Sequence, residues 1–399
     1  MNPFMRLGIL ASHPIQYQAP WFRALAKELD LQVYFAHRQT AGGQADAGFD
    51  VPFNWDVDLL SGYQHFWLKN VSRSPSVNHY HGCDTPEIGG IIERGKFDAF
   101  IVCGWYLKSF LQAARACRRS GTPVFIRGDS QLGMSQSWLK RLVKEVTHRR
   151  LLRRFDGFLF VGQRNAEYLR HYGASEDRMF FVPHFVDNDW FAARATQCAP
   201  QRDQQRAVWG ADANTLVTLF VGKLIKKKHG RDLLRALHHS KNKDMLAVFV
   251  GSGEMQNNLQ SEARDRGVEA RFEGFKNQSE LPLYYASADV LVLPSTGDET
   301  WGLVVNEAMA CGLPAIVSTA VGCVPDMVEE GRTGFSFPLG NIGTLAERLN
   351  CIRQREQVGH DWRPELRAKL ADYSIEAAVA GTLRAFDILL PSHQIHRIS

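Results

Sequence analysis

The sequence is poor in several features, and each shortage narrows the possibilities. Its seven cysteines (Cys83, Cys103, Cys117, Cys198, Cys311, Cys323 and Cys351) are scattered and odd in number, with no C-x-x-C pair. Neither a disulfide framework nor a zinc site is indicated, and the thiols read as reduced ones in a cytoplasmic protein. No run approaches the roughly 20 apolar residues of a membrane-spanning helix. The opening residues turn polar at Ser12 and His13 and lack the pattern of a secretory signal, so only peripheral membrane contact is expected. There is no short repeat and no low-complexity tract. The formal net charge is only +5, too small by itself to argue for nucleic acid. His79 and His81 belong to no H-E-x-x-H set, and the D-x-D spacing of Asp56 and Asp58 follows no strand. No metal and no cofactor are therefore expected.

What is present is an ordinary globular composition, 45% hydrophobic and 22% charged over 399 residues, which suits two domains with full cores. Short apolar runs recur at residues 6–10, 31–36, 99–104, 123–127, 157–162 and 179–184. They are nearly continuous rather than alternating, the pattern of strands buried on both faces. Helical segments such as 106–119 and 166–171 fall between them, which implies a parallel sheet covered by helices. A polar stretch at 187–206 reads as a linker. The rhythm then restarts at 215–222, 245–251, 270–275, 290–295, 314–319 and 334–338. The expected fold is α/β, with two doubly wound Rossmann-like domains facing across a cleft, and ligands outside the strand C-termini. The expected boundaries are 1–190 for the first domain and 206–370 for the second. A C-terminal helical segment, 371–399, is expected to pack back on the first.

The densest chemical signal is STGDETWGLVVNEAMACGLP, Ser295 to Pro314. Glu299 and Glu307 stand eight residues apart, and Gly302 to Cys311 reads as a helix after a buried strand. Eight residues of helix span roughly 12 Å. That separation suits a ribose near one carboxylate and a sugar near the other, on either side of a pyrophosphate. Amides at the helix start, around Trp301, Gly302 and Leu303, would face the phosphates. A surface helix with an unrelated acid upstream is the competing reading, and the residues around the pair make it the minor one.

A second signal is GKLIKKKHG, Gly222 to Gly230, after the first strand of the second half. Gly222 lets the backbone turn with no side chain in the way. Lys223 and Lys228 are placed to neutralise a diphosphate leaving group. Lys226 and Lys227 read as solvated.

Together these stretches resemble the retaining glycosyltransferases of family four, which have the GT-B fold. The matching segments are FVGKLIKKKHG, FEGFKNQSELPLYYASADVLVLPS, ETWGLVVNEAMACGLP and VGCVPDMVEEGRTGFSFPLGN, nearly all of Val217 to Gly340. The resemblance implies that Glu299 contacts the transferred sugar, Glu307 the ribose hydroxyls, and Lys223 and Lys228 the diphosphate. It also implies transfer with retention from a nucleotide sugar, UDP by default. Lys223 stands where many members have Arg, so a fork of donors becomes a point charge. Thr300 and Cys323 stand where Gly is usual.

The first half is less marked. His13, in the Ser12 to Tyr17 loop after the first strand, is equally a phosphate or acceptor contact and a loop histidine satisfied locally. Asp129 follows the strand ending at Arg127, where many family members have His. It is assigned to orienting or deprotonating the acceptor hydroxyl, against the alternative of a turn residue. Gly104, Trp105 and Tyr106 either line an acceptor pocket or pack in the core. Residues 137–155 carry seven Lys or Arg against Glu145. They form a covering helix with a solvated face, or a contact to an anionic membrane surface that would suit a lipid-linked acceptor.

The implied partners are a nucleotide-sugar donor and a sugar, lipid-linked or polysaccharide acceptor of cell-envelope synthesis, with no nucleic acid. The location implied is cytoplasmic, at the inner face of the membrane. The rival functions are an epimerase or hydrolase of nucleotide sugars on the same fold, and a non-catalytic scaffold that keeps the donor pocket.

Overall fold

A computed structural model describes residues 4–44, 51–132, 138–240 and 244–390, with side chains at 43–44 and 138–142 outside that description. The chain divides into two compact units. The first comprises Met1–Gly43, Asp58–His184 and Ile375–Ser399; the second comprises Gln44–Val57 and Phe185–Ser374.

The first unit holds a seven-stranded sheet: β1 Arg6–Ala11, β2 Asp30–Phe35, β3 Gln64–Trp67, β4 Ala99–Val102, β5 Val124–Gly128, β6 Gly157–Phe160 and β7 Met179–Phe181. The order is β3-β2-β1-β4-β5-β6-β7, and every pairing is parallel. Its strands are buried because helices cover both faces. β3 is the exception and was not foreseen. Its residues Gln-His-Phe-Trp alternate between exposed and part-buried, as an edge strand with one open side does. The helix Ile375–Leu389 lies against β6, β7 and the helix Ala19–Glu28, where Phe386 meets Phe125 edge-on at 5.1 Å.

The second unit holds a six-stranded sheet: β8 Leu216–Val221, β9 Met245–Val250, β10 Ala270–Gly274, β11 Val290–Leu293, β12 Ala315–Ser318 and β13 Gly334–Phe337. The order is β10-β9-β8-β11-β12-β13, again all parallel. The strand order reverses direction once in each sheet, beside β1 and β4 in the first and beside β8 and β11 in the second. These are the points where strand ends splay and leave room for a ligand.

The stretch expected to be a linker is helical instead, with helices Asn188–Cys198 and Arg202–Trp209. The Asp187 carboxylate accepts from Trp190 N at 3.0 Å and starts the first of them. The polar composition misled because each helix buries only a narrow stripe, Phe191 and Ala195 in one, Arg206 and Trp209 in the other.

Candidate active site

In the second unit β8 runs fully buried to Val221 and ends at Gly222, whose φ of +142° favours glycine. The chain then makes a 3-10 turn through Lys226–Lys228 and reverses at His229, which sits in the left-handed region at φ +51°. The His229 ring is held by Asp232 at 3.1 Å. This reversal carries Lys228 back toward the strand end, so that its Nζ lies 3.7 Å from where a Cβ on Gly222 would stand. Thr296 N donates to Lys227 O at 3.0 Å and ties the basic turn to the segment after β11.

That segment brings in Glu299. Glu299 N donates to Thr296 O at 3.0 Å, and Gly322 N donates to Glu299 O at 3.0 Å, which fixes its backbone from both sides. Its carboxylate forms an ion pair with Lys228, and the two side chains are only 19% and 12% exposed. Lys223 stands in the same field. Burial lowers its pKa, the like charges of Lys228 and Lys227 lower it further, and Glu299 opposes them. Lys223, Lys228 and Glu299 are thus brought together at the mouth of β8, in a compact zone of positive charge with one carboxylate. Lys226 and Lys227 are exposed.

The helix that follows is shorter than its sequence pattern suggests. It spans Val304–Ala310, preceded by Gly302 at φ +97° and followed by Gly312 at φ +83°. Trp301 does not face a ligand with its ring. It is 4% exposed, its Nε1 donates to Asn306 Oδ1 at 2.8 Å, and its ring packs 5.8 Å from that of Tyr373. Only its backbone, with those of Gly302 and Leu303, lies at the helix start. Glu307 sits inside the helix, 1% exposed, and accepts from the Tyr285 hydroxyl at 2.6 Å. Its Oε2 is thus held by the neighbouring helix Leu281–Ser287. Cys323 is buried with an ordinary φ of −77°, so its place needs no glycine.

In the first unit the strand ends carry a different set. The Ser12 hydroxyl lies 3.0 Å from His13 Nδ1, and His37 N donates to Ser12 O at 2.8 Å. Burial first, and His37 second, push the His13 pKa down to about 4, so His13 is neutral at pH 7 and can offer a hydrogen bond but no charge. Asp129, with a half-exposed side chain, lies 3.9 Å from His184 Nε2, beyond the end of β7. His184 had no signal in the sequence, because it comes from a strand two places away in the sheet. Arg127 is buried, donates to Pro183 O at 2.9 Å and lies over the Trp21 ring at 5.2 Å. Trp105 stacks on Tyr168 at 5.6 Å and serves packing, whereas Tyr106 is half exposed.

His148 is a second part-buried histidine, bonded to the Tyr168 hydroxyl at 2.8 Å. Burial, and then Lys144, lower its pKa to about 4. In the unfolded chain His13 and His148 take up protons near pH 6.5; folded, they do so only near 4. The stability they support is complete above 6.5 and is lost as pH falls toward 4, by up to about 1.4 kcal/mol per pH unit for each. Urea midpoints at pH 7 and pH 5 are expected to differ markedly in the native protein and less in His148→Phe. Equal differences in the two proteins would show that His148 has no part in the effect.

Among the described residues no helix is long and apolar enough to cross a membrane. Residue 137 lies outside the described residues. The helix Trp138–Leu152 exposes Val143, Val146, Arg149 and Arg150.

Comparison with known proteins adds likenesses to this geometry. Residues 201–376 match the family model described as Glycosyl transferases group 1. The matched stretch contains the whole lysine and glutamate cluster. A D-inositol 3-phosphate glycosyltransferase of Pseudarthrobacter chlorophenolicus is 28% identical over 243 residues, 58% of this chain and 56% of that protein. The sulfoquinovosyl transferase SQD2 of Arabidopsis thaliana is 37% identical over 132 residues, 29% of this chain and 25% of that protein. The chain spans about half or less of the length of these curated relatives. The fold is that of solved glycosyltransferases with the GT-B architecture. HepE of Anabaena in complex with UDP has a TM-score of 0.72 at 15% identity, covering 96% of this chain and 99% of that one. WaaG, a glycosyltransferase involved in lipopolysaccharide biosynthesis, has a TM-score of 0.63 at 16% identity, covering 96% and 99%.

Proposed function

We propose that this protein is a retaining glycosyltransferase that moves a sugar from a nucleoside diphosphate sugar to a hydroxyl acceptor. The observation that carries the proposal is the convergence of Lys223, Lys228 and Glu299 at the β8 strand end. As the bond between the anomeric carbon and the phosphate oxygen breaks, negative charge grows on the diphosphate. Two ammonium groups already held in place neutralise it without rearrangement. Their charge serves where other enzymes use a metal, so turnover without added metal is expected. Glu299 contacts the sugar, and Glu307 receives the ribose. The acceptor hydroxyl arrives on the face the phosphate leaves, and its proton passes to the departing phosphate oxygen. For the acceptor, the first unit offers Asp129, 3.9 Å from His184 Nε2.

UDP is the favoured nucleotide, supported by the HepE structures, one with UDP and another with UDP and glucose. A cell-envelope polysaccharide or glycolipid acceptor is supported by the likeness to WaaG. The exposed valines and arginines of Trp138–Leu152 suit a site of action at an anionic membrane surface. Retention rests on the family resemblance.

The test is a thermal-shift screen of UDP-, GDP-, ADP- and dTDP-sugars without metal. One nucleotide class is expected to stabilise the protein, by RT ln(1 + [L]/Kd). No stabilisation by any donor, even with acceptors or membranes added, would sink the proposal and favour a scaffold. Consumption of donor without an acceptor would indicate a hydrolase or epimerase.

A further inference from the structure

Residues 44–57 belong to the second unit, although the chain on both sides of them belongs to the first. The described part is held to the loop after β10 by several contacts. The Phe53 ring lies 4.3 Å from that of Phe275 and meets Trp55 edge-on at 4.9 Å. Asn277 Nδ2 donates to Asn54 O at 2.7 Å. Ser279 N donates to the Asp56 carboxylate at 3.2 Å, and the Ser279 hydroxyl donates to it as well. In a segment where Val51, Pro52, Asn54 and Asp56 are exposed, Phe53 is buried, while Trp55 and Phe275 keep part of their surface open.

This strap is fixed at one end of a track that begins at the lysine cluster. Gly222 N donates to Val250 O at 2.9 Å, and Gly251 N donates to Gly274 O at 2.7 Å. The backbones pass so closely that a Cβ on Gly251 would stand 2.0 Å from Gly222 O. The ends of β8, β9 and β10 therefore present Gly222, Gly251 and Gly274 in a row, with no side chain standing on them. Phe275 is the next residue. A nucleoside whose diphosphate sits at Gly222 and Lys228 has this direction open to its base, and the aromatic rings stand where it ends.

We propose that residues 51–56 form a wall of the base subsite, with Trp55 and Phe275 as the stacking surface and Phe53 as the residue that positions them. This rests on the donor reading above. A flat base gains from aromatic faces held in advance, and the strap's hydrogen bonds hold them. The strap would also decide which base fits, because the space between wall and strand ends suits one ring size better than another.

Calorimetric titration of the full chain with UDP, CDP, GDP and ADP tests it, with inorganic pyrophosphate as the base-free probe. Trp55→Ala and Phe53→Ala are expected to weaken the preferred nucleotide about tenfold and to narrow its lead over the others. Pyrophosphate binding is expected to stay within about twofold of the wild type. Asp56→Asn, which keeps the rings, is expected to give a smaller loss of the same kind. Unchanged affinity and ranking would overturn the inference, and so would an equal loss of pyrophosphate, which would mark general loosening of the unit. A wild-type protein that binds no nucleoside diphosphate would overturn the donor reading itself.

Discussion

Replacing Lys228 with alanine is expected to lower turnover by about 10²–10³-fold, roughly 2.7–4 kcal/mol, the scale seen when one preorganised charge-stabilising group is removed. The size follows from where the ammonium sits. It is 12% exposed, paired with Glu299, and delivered to the β8 strand end by the reversal at His229. Partial burial makes its field on a developing phosphate charge stronger than that of a surface lysine. Lys226→Ala, two residues away on the exposed side of the same turn, is expected to change turnover by no more than about twofold. Steady-state kinetics on the two variants separates a local charge effect from a change in overall basicity. Similar losses in both would mean that Lys228 acts only through the general positive field. Lys228→Arg is expected to recover part of the loss, because charge is kept while the reach and fork geometry differ.

Asp289→Ala is expected to destabilise the second unit by about 3–5 kcal/mol, the usual cost of breaking one partner out of a buried ion pair. The carboxylate is 8% exposed and takes both Arg206, at 3.0 and 3.1 Å, and Arg202. It also accepts from Val217 N at 2.7 Å, at the start of the strand that ends in Gly222. Arg206 is equally buried and would be left with the carbonyls of Asp212, Thr215 and Ser287, which supply hydrogen bonds but no counter-charge. Arg202→Ala is expected to cost less, because that side chain is 35% exposed and water can take its place. Urea unfolding of the three proteins, followed by tryptophan fluorescence, gives the comparison. A loss under about 1 kcal/mol for Asp289→Ala would show that Arg206 needs only its carbonyl partners.

Much of the architecture was legible because it repeats. Each of the twelve nearly continuous apolar runs overlaps a strand of the structure. Burial on both faces removes alternation, so the signal is strong and local. β3 escaped because an edge strand with one open face has no such run. The helices of 188–209 escaped because their apolar stripes are narrow and their exposed faces look like linker. Spacing and resemblance single out Gly222, Lys223, Lys228, Glu299, Gly302 and Glu307, and the structure brings Lys223, Lys228 and Glu299 together. The direction of each side chain was not legible. Trp301 turned out to be buried against Tyr373, and Glu307 to be paired with Tyr285. Those facts depend on partners 72 and 22 residues away.

The sequence by itself determined the two-sheet plan and the strand-end loops that carry the charged residues. Both follow from periodicity and from backbone preferences acting over a few residues. Tertiary structure alone decided which charges meet: Lys228 with Glu299, Asp289 with Arg206, Asp129 beside His184. It also decided that residues 51–56 join a unit whose remaining chain begins at Phe185. Contacts of this kind form between segments far apart in the chain, and their energy depends on burial and on the geometry of the partner, which no local pattern encodes.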